Sequence, residues 1–298
     1  MRPCLPPLDV VPQPSWTAPP LSCDCHFHIF GPYDRFPLDA GRHYDPQAAL
    51  IPAYLRVAEA LGLQRMVIVQ PSVYGTDNAC SLDAAARFGL DRARVVAVVD
   101  DGFDDAALRD LHAKGTRGVR FNAVSGNGTP LDQLEALARR IAPLGWHLQV
   151  FVRLANIPAI ADLVPGLPVP VVFDHMGLPT SSAGPAQPGL DSLRELLAAG
   201  HCWVKLSGTY HVSPFLYGDE DTDGIARSLV ASNPDRLVWA SDWPHVGKHN
   251  RRAEVDPPLL PHRQIDYAQL LALLARWAGT PATLQKILVD NPARLYGF

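Results

Sequence analysis

The sequence predicts an α/β protein built as a (β/α)₈ TIM barrel. Three observations carry that expectation. Eight short apolar runs alternate with helix-like segments along the 298 residues, an order that favours parallel βαβ units. The polar residues with chemical potential fall at the ends of those runs, where such a barrel keeps its active site. A doubly wound open sheet is the alternative. It calls for a Gly-x-Gly-x-x-Gly turn after strand one, and the chain has none there.

The elements follow in order. Residues 1–20 hold seven of the prolines and read as an irregular arm. Residues 21–298 read as a single barrel domain. Strand one ends at His28. Asp45-Pro46 is expected to open a helix over 47–61, through the Asp45 acceptor and the pre-set backbone of Pro46. Strands two, three and four are expected over 65–70, 95–100 and 118–122, with helices over 79–89, 104–114 and 130–141 after them. Strands five and six fall over 147–152 and 169–173. A Gly/Pro/Ser-rich loop (179–189) leads to a helix over 190–199. Strand seven is 202–207, a helix covers 223–231, and strand eight is 237–240. The tail is helical over 265–277 and 283–289.

Composition narrows the function. A net charge of −4 and a pI near 6.2 leave no basic footprint for nucleic acid. No apolar run is long enough to span a bilayer, and the proline-broken start has no signal-peptide core. Five scattered cysteines form no disulfide framework and no Cys-x-x-Cys knuckle. A reduced, cytoplasmic protein is the expectation. Nothing in the sequence specifies an oligomeric state.

Chemistry centres on Cys23-Asp24-Cys25-His26-Phe27-His28. Side chains alternate along a strand, so Asp24, His26 and His28 are expected on one face and Cys23, Cys25 and Phe27 on the other. Two imidazoles at a strand end can aim at one point, a metal ion or a carbonyl oxygen. Val171-Val172-Phe173-Asp174-His175-Met176-Gly177 and Trp239-Ala240-Ser241-Asp242-Trp243-Pro244-His245 are further apolar runs that end in His or Asp before a turn.

These motifs resemble the amidohydrolase superfamily: His26-x-His28 on strand one, His175 after strand six and Asp242 after strand eight. Together with Gln70-Pro71-Ser72-Val73-Tyr74 and Gly118-Val119-Arg120-Phe121-Asn122 they look most like the 2-pyrone-4,6-dicarboxylate lactonase branch. The resemblance implies an amidohydrolase-like barrel that hydrolyses a lactone, in aromatic or sugar-acid breakdown. It also implies that metal is dispensable, the histidines polarising the carbonyl directly. Binuclear members carry a Lys or Glu on strand four and a His on strand five. Here those strands offer Arg120, Asn122, Gln149 and Phe151, so at most one divalent ion is expected, zinc foremost, on His26, His28 and Asp242.

Asp242 is the expected general base, taking a proton from water and returning it to the leaving oxygen. His26, His28 and His175 are expected to stabilise charge on the carbonyl oxygen. Arg120 suits a substrate carboxylate, which guanidinium binds through two parallel hydrogen bonds. Tyr44, Ser72, Tyr74, Asn122 and Tyr210 are the further candidates for substrate hydrogen bonds. Lys205 is expected to pair with a buried carboxylate, and His245, His249 and His262 read as loop histidines. The branch's further arginines are missing: no basic residue stands in 123–128, Leu178 follows Gly177, and Thr209-Tyr210 follow Gly208. That predicts a lactone with fewer than two carboxylates. Lactone isomerisation and zinc-dependent nonoxidative decarboxylation are the competing activities, and a silent binding barrel is the third reading.

Overall fold

The computed structural model describes residues 6–7, 14–124, 131–184, 186–246 and 265–298. Eight parallel strands lie in sequence order: β1 (Cys23–Phe27), β2 (Arg65–Val69), β3 (Ala93–Ala97), β4 (Thr116–Asn122), β5 (His147–Phe151), β6 (Val171–Phe173), β7 (Cys202–Leu206) and β8 (Leu237–Trp239). The chain beyond β8 returns to β1, where Asp242 N donates to His26 O and His28 N to Trp243 O, each at 2.9 Å. The sheet is thereby a nearly closed barrel, as the alternation of apolar runs predicts.

Around it run α1 (Ile51–Leu61), α2 (Ala79–Phe88), α3 (Asp105–Ala113), α4 (Leu134–Ile141), α5 (Pro158–Ala161), α6 (Leu190–Ala198), α7 (Thr209–Val212), α8 (Glu220–Ser232), α9 (Tyr267–Ala278), α10 (Pro281–Gln285) and α11 (Asn291–Tyr296). Two apolar clusters result. One, including Val67, Val96, Val172, Trp203 and Val238, fills the barrel. The larger one packs the helices on the outer faces of the strands, where Ile68, Val95 and Leu148 meet Leu108, Leu137 and Leu271.

Strand one departs from simple alternation. Pairing with β2 slips between Asp24 and Phe27, and this irregularity re-aims the side chains. Cys25 joins the inner cluster and Phe27 the outer one. Asp24 leaves the histidine face. Its Oδ1 accepts Ser241 N at 2.9 Å, and its Oδ2 accepts Ser241 Oγ at 2.5 Å and Tyr54 OH at 3.1 Å. A buried carboxylate needs such donors, and α1 and the β8 turn supply them.

Some boundaries also move. α1 begins at Ile51, not 47, because residue 49 is still held extended by a bridge to Phe30. Asp45 caps nothing there; it takes Arg42 Nε at 2.5 Å. β3 starts and ends earlier than expected, at Ala93 and Ala97. α8 starts at Glu220, three residues ahead of the expected start, because Asp219 accepts Thr222 N at 2.8 Å as a side-chain cap. Residue 130 lies outside the described residues. Of the expected arm, residues 6–7 and 14–20 are described and carry no helix or strand.

Candidate active site

A cleft of about 100 Å³ opens at the C-terminal ends of the strands. His28, Tyr44, Ser72 and Arg120 line it, and so do Asn122, His175, Tyr210 and Asp242. A larger cavity of about 620 Å³ lies between α2 and α3 on the outer wall, but no histidine lines it among the described residues. Titratable groups converge on the smaller one, the feature that marks a candidate active site.

Asp242 sits at the centre. Its Oδ1 is 3.7 Å from His26 Nε2 and 3.8 Å from His28 Nε2. Its Oδ2 is 3.9 Å from His175 Nε2 and 3.4 Å from His211 Nε2, and accepts the Tyr210 hydroxyl. Both His175 and Asp242 have left-handed backbone, at φ 49 and 59. Non-glycine residues pay about 1–3 kcal/mol for such a conformation, and it recurs at functional sites. Here it bends each side chain into the mouth directly after its strand. Gly208, itself at φ +64, makes room: a Cβ there would stand 2.7 Å from His175 Nδ1.

His26, His28 and His175 are neutral at neutral pH. Burial, then Arg120, lowers His28 to about 4. Burial also brings His175 to about 4, against the pull of Asp242. His26 is pushed well below its ordinary value by burial and then by Lys205. Burial favours a protonated Asp242, but the surrounding histidines, His175 first, outweigh it and hold the carboxyl well below the usual range. The site therefore sets an ionised carboxylate beside uncharged His26, His28 and His175. His28 donates its Nδ1 proton to Val69 O at 2.7 Å, so its Nε2 presents a lone pair to the cleft. That makes His28 an acceptor rather than a donor to a carbonyl oxygen.

Below the cleft lies a second polar layer. Lys205, fully buried, pairs with Asp174 at 3.3 Å, the carboxylate partner expected of it. Arg120 is anchored by Gln70 O at 3.3 Å, stands 3.7 Å from Asp174 Oδ2, and lies over the Phe151 ring. Tyr74 stands apart from the cleft: its hydroxyl accepts Gly31 N at 2.7 Å within the outer core. His26 lies beneath the cleft rather than on its wall, its Nε2 buried and, among the described residues, without a hydrogen bond.

Sequence reasoning missed His211, which lines the cleft from α7. The signal was available, a histidine four residues after Ser207 at the end of strand seven. His245, read as a loop histidine, is in a loop but buried on the cleft wall, with its Nδ1 2.9 Å from Tyr210 OH. His249 and His262 lie outside the described residues, as do Lys248 and Arg251, cations that could meet further charge on a substrate.

For an ion, His26 Nε2, His28 Nε2 and Asp242 Oδ1 lie within 4.8 Å of one another. That spacing fits one divalent cation, and the unpartnered His26 Nε2 points the same way. Arg120, Asn122, Gln149 and Phe151 stand where a bridging carboxylate and a further imidazole would be needed for a two-metal centre.

Comparison with known proteins gives a consistent picture. The amidohydrolase family profile matches residues 23–298. The chain is 36% identical over 288 residues to the 4-sulfomuconolactone hydrolase of Rhizobium radiobacter, covering 95% of this chain and 92% of that protein. It is 35% identical over 300 residues to the 2-pyrone-4,6-dicarboxylate hydrolase of Comamonas testosteroni, with the same coverage, 95% and 92%. Among solved structures, the apo form of an Agrobacterium tumefaciens protein matches with a TM-score of 0.82 and 26% identity, over 96% of this chain and 98% of that one.

Proposed function

The chain belongs to the amidohydrolase family, and we propose that it hydrolyses a lactone, with Asp242 activating the water. The observation that carries this reading is one carboxylate, Asp242, within 4 Å of four imidazoles at the mouth of the barrel. Water held against Asp242 Oδ1 and the His28 Nε2 lone pair gives its proton to Asp242 as its oxygen attacks the carbonyl carbon. Ring N–H groups from His26 and His175 stabilise the oxyanion. The ring C–O bond then breaks, and the proton passes from Asp242 to the departing oxygen. A divalent ion held by His26, His28 and Asp242 would supply Lewis-acid polarisation and a more acidic water.

Arg120 is the arginine that lines the cleft among the described residues. Arg35 and Arg42 are engaged elsewhere, with Asp83 at 2.7 Å and Asp45 at 2.5 Å. One guanidinium pairs bidentately with one carboxylate, and a second charge in the mouth would cost several kcal/mol unpaired. The substrate is therefore a neutral or singly charged lactone. The described cysteines are free and buried, which suits a reducing, cytoplasmic setting.

A panel of neutral, monocarboxylated and dicarboxylated lactones, read by product mass, tests the proposal. Ring opening adds one water, and the singly charged members should be preferred. A dicarboxylate turned over roughly tenfold better (about 1.4 kcal/mol) would refute the charge assignment. A product of unchanged mass would make the protein an isomerase.

A further inference from the structure

Lys205 is wholly buried under the cleft, and the hydrolysis above uses none of its atoms. From β7 its Nζ reaches Gln149 Oε1 at 2.6 Å, Asp174 Oδ1 at 3.3 Å and His26 Nδ1 at 3.3 Å. Burial lowers the Lys205 pKa, but its ion pair with Asp174 at 3.3 Å favours the ammonium, which has protons to give and no lone pair to receive one. Gln149 repeats the instruction. With Oε1 on the ammonium, its Nε2 donates to Asp174 Oδ2 at 3.0 Å and faces His26 Nδ1 at 3.5 Å. Asp174 Oδ1 is also 3.3 Å from that nitrogen, an ionic contact outside hydrogen-bond geometry among the described residues. The two side chains in hydrogen-bond geometry at His26 Nδ1, Lys205 and Gln149, both present nitrogen donors.

We propose that Lys205 is a positioning residue that, with Gln149, keeps the lone pair of His26 on Nδ1 and its proton on Nε2, aimed at the cleft. His28 is set the opposite way by Val69 O. The two imidazoles of one His-x-His motif, 5.0 Å apart between centroids, then present a donor and an acceptor side by side. The donor suits a developing oxyanion; the acceptor suits a water. The same arrangement makes a cation compete with a proton, because Nε2 cannot ligate while it carries hydrogen. A metal-binding histidine ordinarily gives its other N–H to a carboxylate or carbonyl. Asp174 is placed to accept that proton once the ammonium is removed. Lys205 therefore selects a carbonyl-polarising site over an ion site built from the same residues. Only the oxyanion role rests on the lactonase reading; the proton position does not.

Long-range proton–nitrogen correlation spectra of metal-free protein labelled with ¹⁵N-histidine test this at neutral pH. The His26 signals are assigned by their loss in His26→Gln. His26 should carry its proton on Nε2; a proton on Nδ1 overturns the proposal, and this measurement needs no variant at position 205. Lys205→Met should move the proton to Nδ1 and tighten binding of zinc chloride, followed by calorimetry, by at least about tenfold. That gain should vanish when His28→Ala is added. A folded Lys205→Met protein with unchanged tautomer and zinc affinity would also refute it. A failed lactone panel would remove the hydrolase reading and leave the spectrum as an independent result.

Discussion

His26 and His147 point into the same barrel from opposite ends. Both are buried, and burial lowers both, His147 to about 3. His147 opens β5 near the N-terminal end. Its ring meets Tyr296 edge-on at 5.2 Å, and among the described residues neither ring nitrogen has a partner in good hydrogen-bond geometry. It fits because Gly118 faces it; a Cβ there would come within 2.4 Å of the ring. His26 instead has Lys205, Gln149 and Asp174 around one nitrogen and Asp242 before the other. A depressed pKa therefore does not separate a catalytic histidine from a packing one. Position on the C-terminal rim and the sense of its hydrogen bonds do.

The contrast is sharpest at the rim. Asp242→Asn should leave the fold intact and lower kcat by roughly 10² or more. A folded variant with near-normal turnover would break the distinction between the two ends. Arg120→Met comes next. Removing hydrogen bonds to a charged group costs about 1.5–3 kcal/mol, so kcat/KM for a monocarboxylated lactone should fall on the order of 10- to 100-fold. A neutral lactone should be much less affected, and an equal loss for both would show that Arg120 holds the protein together instead.

Both ends contribute to acid sensitivity. His28 and His175 sit near 4 in the folded chain, below the ordinary value of 6.5. The unfolded chain then binds more protons between those values, so stability rises with pH across that window and is lost as pH falls through it. Each contributes at most on the order of 3 kcal/mol. Denaturant midpoints at several pH values should drop between 6.5 and 4; a flat profile would contradict neutral imidazoles. The smallest effect belongs to His147→Leu. Replacing an unpaired buried imidazole by an apolar group of similar volume should be neutral or stabilise by about 1–2 kcal/mol, with activity changed less than about threefold. A large loss of activity would mean that the lower barrel takes part in the chemistry.

The barrel was legible because apolar runs and helical segments alternate, and the rim because His26, His28, His175 and Asp242 all close such runs. Period two failed at Asp24, where an irregularity in pairing with β2 overrides it. Position relative to a strand end could not tell Tyr74 from Ser72, since a short turn carries one into the core and leaves the other on the cleft. The proton on His26 was beyond sequence reasoning for a different cause. Its partners come from β5, β6 and β7, and Lys205 is 179 positions away.

Isotope transfer tests the role of Asp242 most directly. A single turnover in H₂¹⁸O, with excess enzyme over a monocarboxylated lactone, should place one ¹⁸O atom in the new carboxylate of the product. The peptide containing Asp242 should stay unlabelled, since a general base only borrows a proton. An unlabelled first-turnover product together with ¹⁸O in Asp242 would make that carboxylate a nucleophile and contradict the account.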